Sequence, residues 1–555
     1  MAFSNAVDKP LKPGMGAPQK TVSNANVKRI PFYTLILLFL MGCNMPRKNP
    51  PAFLPPSSAE ETNIPIDLLT TPTLIIAFQD NPSTPSPEDT SSNSTNQTPL
   101  PTNGGIGGAG DISPTTTPIN SGPLLYYTQA GDTLPVLAVR FGVQPEEITS
   151  PDLIPETSFI NPNQLLIIPN RLSNTTSPLH LLPDSELVYS PSAMDFDANS
   201  FIEEAGGYLS EYHEYLGSTG ESKGAQVLEM VALDNSINPR LLIALLEYQS
   251  SWVYGQPENF AKRDYPMGYI EFSQKDLLRQ LKWAVNQLSI GYYDWREGRL
   301  TEIHFSDGAV ARLSPELNAG TAALQYFFAQ LYDSQGWVQV LDPDNGFPAL
   351  YAEMFGNPWL RAQTVEPLFP PDLTQPELAL PFLIGPIWSY TGGPHGAWER
   401  DGSWAAVDFA PASTQSGCVE STSLVTASAP GLVVRSDRNI VVLDLDGDGN
   451  EQTGWAIIYL HIANKNRIPA GTWVETGDFL GYPSCEGGRA TGTHTHIARK
   501  FNGEWMTADG PIPFVLSGWR VHAGLQPYKG TLTRGDQVVV ASQVGAFTSR
   551  ISRDQ

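Results

Sequence analysis

The chain has 555 residues, which is too many for one hydrophobic core, so its length predicts about three domains. Its 33 basic and 57 acidic residues give a formal net charge of −24. This balance excludes nucleic acid as an expected partner, because contacts to phosphates need clustered Lys and Arg.

The N-terminal sequence predicts an exported protein. Lys28 and Arg29 precede the apolar run PFYTLILLFLMG, and this run ends at Cys43. A run of that length is typical of a signal-peptide core and is too short to span a membrane. Residues 40–43 (LMGC) resemble the bacterial lipobox, which implies a lipoprotein signal peptide over 1–43, a lipid on Cys43 and attachment to a membrane. An ordinary signal peptide of a secreted protein and an uncleaved anchor are the alternatives, and all three readings place the protein outside the cytoplasm.

Residues 44–123 are dominated by Ser, Thr, Pro and Asn, as in PSTPSPEDTSSNSTNQTPLPTNGG. Such a segment cannot bury enough apolar surface to offset the entropy that it would lose on ordering. We therefore predict a disordered linker.

Residues 124–171 predict a small βααβ unit. Strands are expected at 126–129 and 164–168, and between them a helix that ends at Gly142 and a second short helix at 145–149. The unit resembles a LysM module through Y-x-x-x-G-D-T-L, A-x-R-F-G-V and the final L-L-I-I-P. The resemblance implies binding of glycans that contain N-acetylglucosamine, such as peptidoglycan and chitin. A structural spacer is the alternative.

Residues 196–360 predict a mainly α-helical middle domain, whose role the sequence leaves open. Asn238 followed by Pro239 predicts a helix start, and the apolar sequence RLLIALLEYQSSW follows. This segment resembles the opening helix of lysozyme-like transglycosylases, which implies that Glu247 is a general acid. Tyr248 stands where that family has Ser, and no Gly-Leu-Met-Gln segment follows. The alternative is a solvent-facing Glu on an amphipathic helix.

A Pro-rich linker at 366–381 leads to a β-rich domain predicted over 382–530, and a C-terminal tail is predicted at 531–555. Three apolar runs in the β-rich domain read as strands, namely GLVVRSD, NIVVLDLD and GWAIIYLHI. The turn GDGNEQT joins the last two.

Four of the eight histidines of the chain lie between residues 395 and 496, namely His395, His461, His494 and His496. His494 and His496 share one face if their segment is a strand. A catalytic zinc ion needs three protein ligands and one open position. His395, Asp408 and one of the paired histidines could supply those ligands. The helix-borne motif H-E-x-x-H is absent, because no His follows His213 and Glu214 at the required place.

The β-rich domain resembles the lysostaphin-type (LytM-type) zinc metallopeptidases, in the branch of β-lytic metalloendopeptidase and staphylolysin. The matching motifs are G-G-P-H at 392–395, V-D-F at 407–409, Y-L-H at 459–461 and C-E-G-G-x-x-T-G-x-H-x-H at 485–496. Trp404 stands where the commoner branch of the family carries the His of H-x-x-x-D.

This resemblance implies an antiparallel β scaffold that uses one Zn²⁺ ion to cleave peptide bonds of peptidoglycan. It assigns the metal to His395, Asp408 and His496, and it assigns catalysis to His461 and His494. Degenerate members of the family are noncatalytic regulators. They typically lack several of these residues, whereas this chain keeps the set.

The chain has three cysteines. If Cys43 is lipidated, Cys418 and Cys485 remain as an even pair in an oxidising compartment, where they could form a disulfide. Two free thiols are the alternative. The β-lytic branch pairs the Cys of C-E-G-G with a Cys in a strand where this chain has SDR at 436–438. A bridge between Cys418 and Cys485 would therefore not be equivalent to that of the family.

The predicted fold class is multidomain: a βααβ LysM module, a mainly α middle domain and a β-rich C-terminal metallopeptidase domain with an antiparallel sheet. These features predict an exported cell-wall hydrolase, in which the module holds the protein on peptidoglycan and the zinc endopeptidase cuts its peptides. One alternative is a noncatalytic wall-binding lipoprotein that regulates other hydrolases. The other is a bifunctional enzyme whose middle domain also cleaves glycan.

Overall fold

The computed structural model describes residues 122–554. The predicted signal peptide, Cys43 and almost all of the predicted linker lie outside these residues. Between residues 122 and 554, no helix combines the length and the hydropathy that crossing a membrane requires.

The first unit of the fold is small and has two strands and two helical segments. It consists of β1 (Leu124–Tyr127), α1 (Leu134–Phe141), a 3₁₀ turn (Pro145–Glu147) and β2 (Leu165–Ile168). β1 and β2 pair antiparallel, and their inward side chains share a core with one face of α1. Gly142 ends α1 in the left-handed conformation, at φ 65°. The order of elements is the predicted one, except that a single 3₁₀ turn replaces the second helix.

The middle region is mainly helical. Its helices are α2 (Asp184–Leu187), α3 (Ala198–Ala205), α4 (Tyr208–Glu211), α5 (Gly224–Asn235), α6 (Pro239–Ser250), α7 (Phe260–Asp264), α8 (Leu277–Arg296), α9 (Ala319–Ala329), α10 (Ser334–Val340), α11 (Phe347–Phe355) and α12 (Pro358–Ala362). Two short hairpins accompany them, β3 (His213–Leu216) with β4 (Gly220–Lys223) and β5 (Glu302–His304) with β6 (Val310–Arg312). The side chain of Asn238 accepts a hydrogen bond from the N–H of Arg240 and caps α6 where the sequence predicts a helix start.

The C-terminal region is β-rich. Its strands are β7 (Ile387–His395), β8 (Ala406–Pro411), β9 (Val425–Thr426), β10 (Gly431–Asp437), β11 (Ile440–Asp444), β12 (Trp455–Leu460), β13 (Trp473–Val474), β14 (Phe479–Gly481), β15 (Thr495–Phe501), β16 (Glu504–Trp505), β17 (Val515–Leu516), β18 (Trp519–Ala523), β19 (Gly530–Arg534), β20 (Gln537–Val540) and β21 (Arg550–Ser552). The main sheet is antiparallel, in the order β13-β10-β11-β12-β15-β8-β7-β21, and β16 pairs with β15. β17 to β20 form a second antiparallel sheet, and β9 pairs with β14. The three apolar runs predicted as strands are β10, β11 and β12.

The main sheet is buried on both faces. On β12, Ala456 and Ile458 lie in the core that the sheet shares with the helical region, whereas Ile457 and Tyr459 lie in a second core on the other face. Alternate residues of a strand point to opposite faces, and burial of both faces explains why these strands read as continuous apolar runs. Trp505 of β16 connects the sheet to the helical region, because its indole N–H donates to the carbonyl of Asn235 in α5. The helical region is therefore packed directly on the sheet.

Two predicted boundaries differ from the structure. The Pro-rich segment 366–381 is packed, with Phe369 buried in the shared core and Leu380 buried in the second core. The predicted tail contributes β20, β21 and most of β19, and β21 extends the main sheet beside β7. Such short strands have weak sequence signals, because their stability comes from partners that are distant in the chain.

Candidate metal site and catalytic histidines

Cross-strand register brings the site together. His496 on β15 lies directly opposite Asp408 on β8, and Asp408 lies opposite Gly392 on β7. Residues paired in this way point to the same face of a sheet. Gly392 leaves the space that the carboxylate needs, since a Cβ at this position would lie 2.3 Å from Asp408 Oδ2. A carboxylate and an imidazole thus meet beside a position without a side chain.

His395 reaches the same point from the end of β7. The pairing of β7 with β8 is irregular between Gly392 and His395, and irregularities of this kind re-aim a side chain. The imidazole of His395 is buried and stacks on the ring of Tyr528, with the ring centroids 4.1 Å apart. The ring is therefore held between the sheet and the loop that follows β18.

Three donor atoms of these side chains form a small triangle. His395 Nε2 lies 3.1 Å from His496 Nδ1, and Asp408 Oδ1 lies 3.3 Å from each of the two nitrogens. A tetrahedral zinc ion with N and O ligands at about 2.0–2.1 Å has donor–donor edges of about 3.3 Å. All three side chains are buried, and within residues 122–554 Asp408 Oδ1 has no conventional hydrogen-bond partner. The donor set and its spacing fit a divalent cation such as zinc.

Backbone carbonyls fix which ring nitrogens face the triangle. His395 Nδ1 lies 2.8 Å from the carbonyl oxygen of Gly393, and His496 Nε2 lies 2.9 Å from that of Ala397. A carbonyl oxygen only accepts hydrogen bonds, so these nitrogens carry the protons. When each ring is neutral, its other nitrogen, His395 Nε2 or His496 Nδ1, therefore presents a lone pair to the triangle. Imidazoles that bind metals are commonly oriented by such outer partners.

Burial and mutual charge set the protonation of the three groups. Burial raises the pKa of Asp408, but the charges of His395 and His494 outweigh burial and hold this pKa well below its usual range. Burial also acts to lower the pKa of His395, and the Asp408 carboxylate reverses that effect, so the pKa of His395 is raised. Burial lowers the pKa of His496. The site therefore centres on an ionised carboxylate, which favours a cation.

His461 and His494 form a second pair beside the triangle. Their ring centroids are 4.5 Å apart, and His494 Nε2 lies 3.8 Å from Asp408 Oδ1. His461 Nδ1 donates to the carbonyl oxygen of Glu486, and His494 Nδ1 donates to that of Gly492, each at 2.8 Å. Their Nε2 atoms therefore carry the lone pairs. Burial, with the neighbouring His494, lowers the pKa of His461 to about 3, so His461 is neutral at physiological pH.

The segment around the C-E-G-G motif is cross-linked next to His461. Cys418 and Cys485 form a disulfide, with their Cα atoms 5.7 Å apart. The N–H of Ser484 donates to the carbonyl oxygen of His461 at 2.8 Å. His461 itself has φ 64°, a left-handed conformation that is costly for a residue other than Gly and that clusters at functional sites. The chain therefore holds His461 in place at a cost in backbone strain.

Glu247 is not part of this group of side chains. It lies in the last turn of α6 and is half-buried. Its Oε2 accepts hydrogen bonds from the N–H groups of Val253 at 2.8 Å and Tyr254 at 3.1 Å. These bonds tie the end of the helix to the following loop, so the contacts of Glu247 are those of a structural residue.

A second acidic group lies in the hairpin between β11 and β12. Carboxylate oxygens of Asp444, Asp446 and Asp448 lie within 4.8 Å of one another. The Asp444 carboxylate accepts hydrogen bonds from the N–H groups of Gly447 and Gly449, at 3.3 and 2.9 Å. These hydrogen bonds show that the acidic group stabilises a tight turn.

Sequence motifs did not reveal several partners of the site. Ala397 acts through its backbone carbonyl, a group that every residue has, so no residue type signals it. Glu486 stands in the C-E-G-G motif, but the motif does not indicate that its carbonyl orients His461. Tyr528 lies outside all the motifs, and only the folded loop after β18 brings it to His395. Asn439 contacts the Glu486 side chain from a different hairpin. Residue spacing predicts none of these contacts.

The chain is similar in sequence to known proteins. Residues 180–368 match the family model described as LasA, N-terminal domain. Protease LasA of Pseudomonas aeruginosa (strain UCBPP-PA14) is 25% identical to this chain over 379 residues, which cover 64% of this chain and 80% of that protein. Protease LasA of strain PAO1 is 25% identical over 380 residues, with the same coverage.

Solved structures of M23 peptidases align with part of the chain. The M23 metalloprotease pseudoalterin from the deep sea aligns with a TM-score of 0.26 at 24% identity, and the alignment covers 31% of this chain and 96% of that chain. The catalytic domain of lysostaphin from Staphylococcus simulans aligns with a TM-score of 0.16 at 20% identity, covering 22% of this chain and 87% of that chain.

Proposed function

We propose that this protein is a zinc-dependent endopeptidase that cleaves peptide bonds of peptidoglycan. The observation that carries the proposal is the triangle of His395 Nε2, Asp408 Oδ1 and His496 Nδ1, with edges of 3.1 to 3.3 Å. The similarity to Protease LasA supports a peptidase, and the motifs that resemble the lysostaphin-type metallopeptidases imply peptidoglycan as the substrate.

His395, Asp408 and His496 would hold the zinc ion and leave one coordination position open. When bound, zinc supplies Lewis acidity, which polarises a scissile carbonyl and makes water more acidic. Asp408 contributes the negative charge, and the two imidazoles contribute neutral nitrogen donors. The carbonyls of Gly393 and Ala397 keep the imidazoles in the required tautomers.

His461 and His494 would act on the reacting groups through their Nε2 atoms. The lone pair of His461 Nε2 faces the site, so it can accept a hydrogen bond from the water that attacks the substrate and orient that water. The bond from Nδ1–H to the carbonyl of Glu486 keeps the ring in this tautomer. His494 is placed to hydrogen-bond to the oxygen that gains negative charge in the tetrahedral intermediate.

We further propose that the protein works outside the cytoplasm and is attached to the cell wall. The support is in the sequence: the predicted signal peptide that ends at Cys43 and the LysM-like motifs of residues 124–171. A glycan-binding module linked to a peptidase raises the effective concentration of substrate without a new contact at the active site.

The test is digestion of purified peptidoglycan by the purified protein, followed by mass spectrometry of the released peptides. We expect release that a chelator stops and that added Zn²⁺ restores. His496→Ala should lower the rate by at least about 100-fold, because loss of a ligand exceeds the effect of losing an outer partner. His522→Ala is the matched control, since the polar partners of the His522 side chain are Thr533 and Asp509, which lie outside the donor triangle. Zinc-loaded protein that releases no peptide would support a noncatalytic wall-binding role instead.

A further inference from the structure

The helical region is linked to His461 through a continuous path that begins at Asp234. Asp234 is a buried residue in the last turn of α5. Its Oδ1 accepts hydrogen bonds from Arg435 Nη1 at 2.6 Å and from Arg438 Nη2 at 2.9 Å. A carboxylate at this end of a helix opposes the helix dipole, so it depends on these two cations. Both arginines belong to the hairpin of β10 and β11, which is thereby fixed to α5.

The turn of that hairpin directs Asn439 inward. Arg438 and Asn439 have φ values of 38° and 68°, and two consecutive left-handed residues define a tight hairpin turn. Asn439 is buried, and its Nδ2 donates to Glu486 Oε2 at 2.7 Å and to the carbonyl oxygen of Ile462 at 3.0 Å. The N–H of Ile462 donates back to the carbonyl of Asn439 at 3.0 Å. Asn439 therefore binds the residue after His461 and the side chain of Glu486 together.

Glu486 completes the path. Its Oε2 also accepts a hydrogen bond from the N–H of Asn464 at 3.1 Å, while its backbone carbonyl accepts the Nδ1–H of His461 at 2.8 Å. The side chain thus anchors the residue whose carbonyl orients the ring. Gly487, at φ 82°, lets the segment lie against the turn, since a Cβ there would lie 2.6 Å from the Cβ of Asn439.

We propose that Asn439 and Glu486 are positioning residues for His461, and that Asp234 and Arg438 connect them to the helical region. This inference rests on the proposed function, because catalysis by His461 is what makes its orientation measurable. When the Glu486 side chain is lost, the segment keeps its disulfide but loses its bonds to Asn439 and Asn464, so the carbonyl that orients His461 is held less tightly. Glu486 is not part of the donor triangle, so its loss should leave zinc binding unchanged.

The first experiment removes the Glu486 side chain from the full chain. We expect Glu486→Ala to lower kcat by about 10- to 100-fold, the usual effect of losing an outer partner of an active-site group, with KM and zinc content unchanged. Glu486→Gln keeps an oxygen that accepts from Asn439 and should restore kcat to within about threefold of the wild type. The matched control is Glu420→Ala, which removes a carboxylate that is 78% exposed and paired with Lys465.

The second experiment tests the connection to the helical region. Asn439→Gly keeps a residue that tolerates the left-handed turn and removes the amide, so it should lower kcat in the same way as Glu486→Ala. Arg438→Ala alone should lower kcat several-fold. If Arg438 acts through Glu486, the double variant Arg438→Ala/Glu486→Ala should be no slower than Glu486→Ala. If the losses in kcat of the two single variants added fully in the double variant, the proposed connection through Arg438 would be wrong.

The outcomes separate this inference from the proposed function. Wild-type protein that binds zinc and releases no peptide overturns the proposed function. An active wild type with Glu486→Ala as fast as Glu420→Ala overturns the positioning role. Glu486→Ala that loses zinc or unfolds at a clearly lower temperature also overturns it, because Glu486 would then be a structural residue.

Discussion

At the residue scale, His496 in β15 and His494, which directly precedes this strand, present different nitrogens to the site. His496 donates from Nε2 to the carbonyl of Ala397 and turns Nδ1 inward, whereas His494 donates from Nδ1 to the carbonyl of Gly492 and turns Nε2 inward. Imidazole has one donor and one acceptor nitrogen when neutral, so the partner carbonyl decides which nitrogen faces the site. Two identical side chains can therefore do different chemistry one residue apart.

Zinc content should distinguish the two histidines. We expect His496→Ala to lose the ion, because it removes a donor of the triangle, and His494→Ala to retain it. Both variants should lose activity by at least about 100-fold. The measurement is metal analysis of each purified variant beside its rate of peptide release. His494→Ala protein without zinc would make His494 a ligand and contradict the assignment.

The residue types of the site could be predicted from the sequence, and their partners could not. His395 and Asp408 stand in short motifs with definite spacing, so a resemblance could single them out. The carbonyl of Ala397 and the ring of Tyr528 reach the site only because loops fold back onto it. Such contacts depend on tertiary packing and leave no local pattern.

At the element scale, α8 supports the loop that carries Ala397. Asn286 Oδ1 accepts a hydrogen bond from the N–H of Asp401 at 3.2 Å, and Lys282 pairs with Glu399 at 3.0 Å. Gly402, at φ 96°, lies against α8 so closely that a Cβ there would lie 2.8 Å from Ser289 Cβ. The loop between β7 and β8 is therefore shaped by a helix of the middle region.

A methyl group at Gly402 should disturb the metal site through this loop. We expect Gly402→Ala to weaken zinc binding by about tenfold, because displacement of the loop moves the carbonyl that orients His496. Zinc affinity can be measured by competition with a chelator. Gly308→Ala is the matched control, since Gly308 has a similar φ of 85° and nothing within 4 Å of its added Cβ. Equal zinc affinity in the two variants would refute the role of the loop.

Elements with a continuous apolar pattern or a helix cap were easier to predict than partly exposed strands. Strands β10 to β12 and helix α6 have strong apolar patterns or a cap, and the structure contains them where the sequence indicates. The strands β19 to β21 are short and partly exposed, and they were predicted as a tail. Their pairing energy comes from β18 and β7, which no local window of sequence includes.

At the scale of the whole molecule, a buried ionic cluster joins three parts of the chain. Arg296, at the end of α8, pairs with Asp184 at 2.9 Å and with Glu504 of β16 at 3.1 Å. Its guanidinium also donates to the carbonyl of Ala130 in the small N-terminal unit. One cation thus faces more than one carboxylate in a buried site, so a carboxyl group there should retain its proton near neutral pH.

The cluster should make stability depend on pH. Burial, with repulsion from Asp184, raises the pKa of Glu504 to about 7. A carboxyl group with a raised folded-state pKa stabilises the protein fully below its unfolded pKa, near 4.5, and loses that contribution as the pH rises through 7. We expect Glu504 to contribute about 1–3 kcal/mol less to the free energy of unfolding at pH 8 than at pH 5.

Urea unfolding of the wild type and of Glu504→Gln at both pH values measures this contribution. The glutamine is neutral throughout, so the variant should lose less stability between pH 5 and pH 8 than the wild type does. If the free energy of unfolding changed by the same amount in the two proteins between pH 5 and pH 8, groups other than Glu504 would cause the pH dependence.

The core shared by the sheet and the helices affects how the protein would respond to proteolysis. Residues 370–372 of the Pro-rich segment 366–381 are exposed, so a protease could cut there without disturbing the packed surface. The two fragments would remain together, because separating them would expose Trp505 and its apolar neighbours to water. Cleaved protein would therefore run as two bands on a denaturing gel while eluting as a single species from a sizing column.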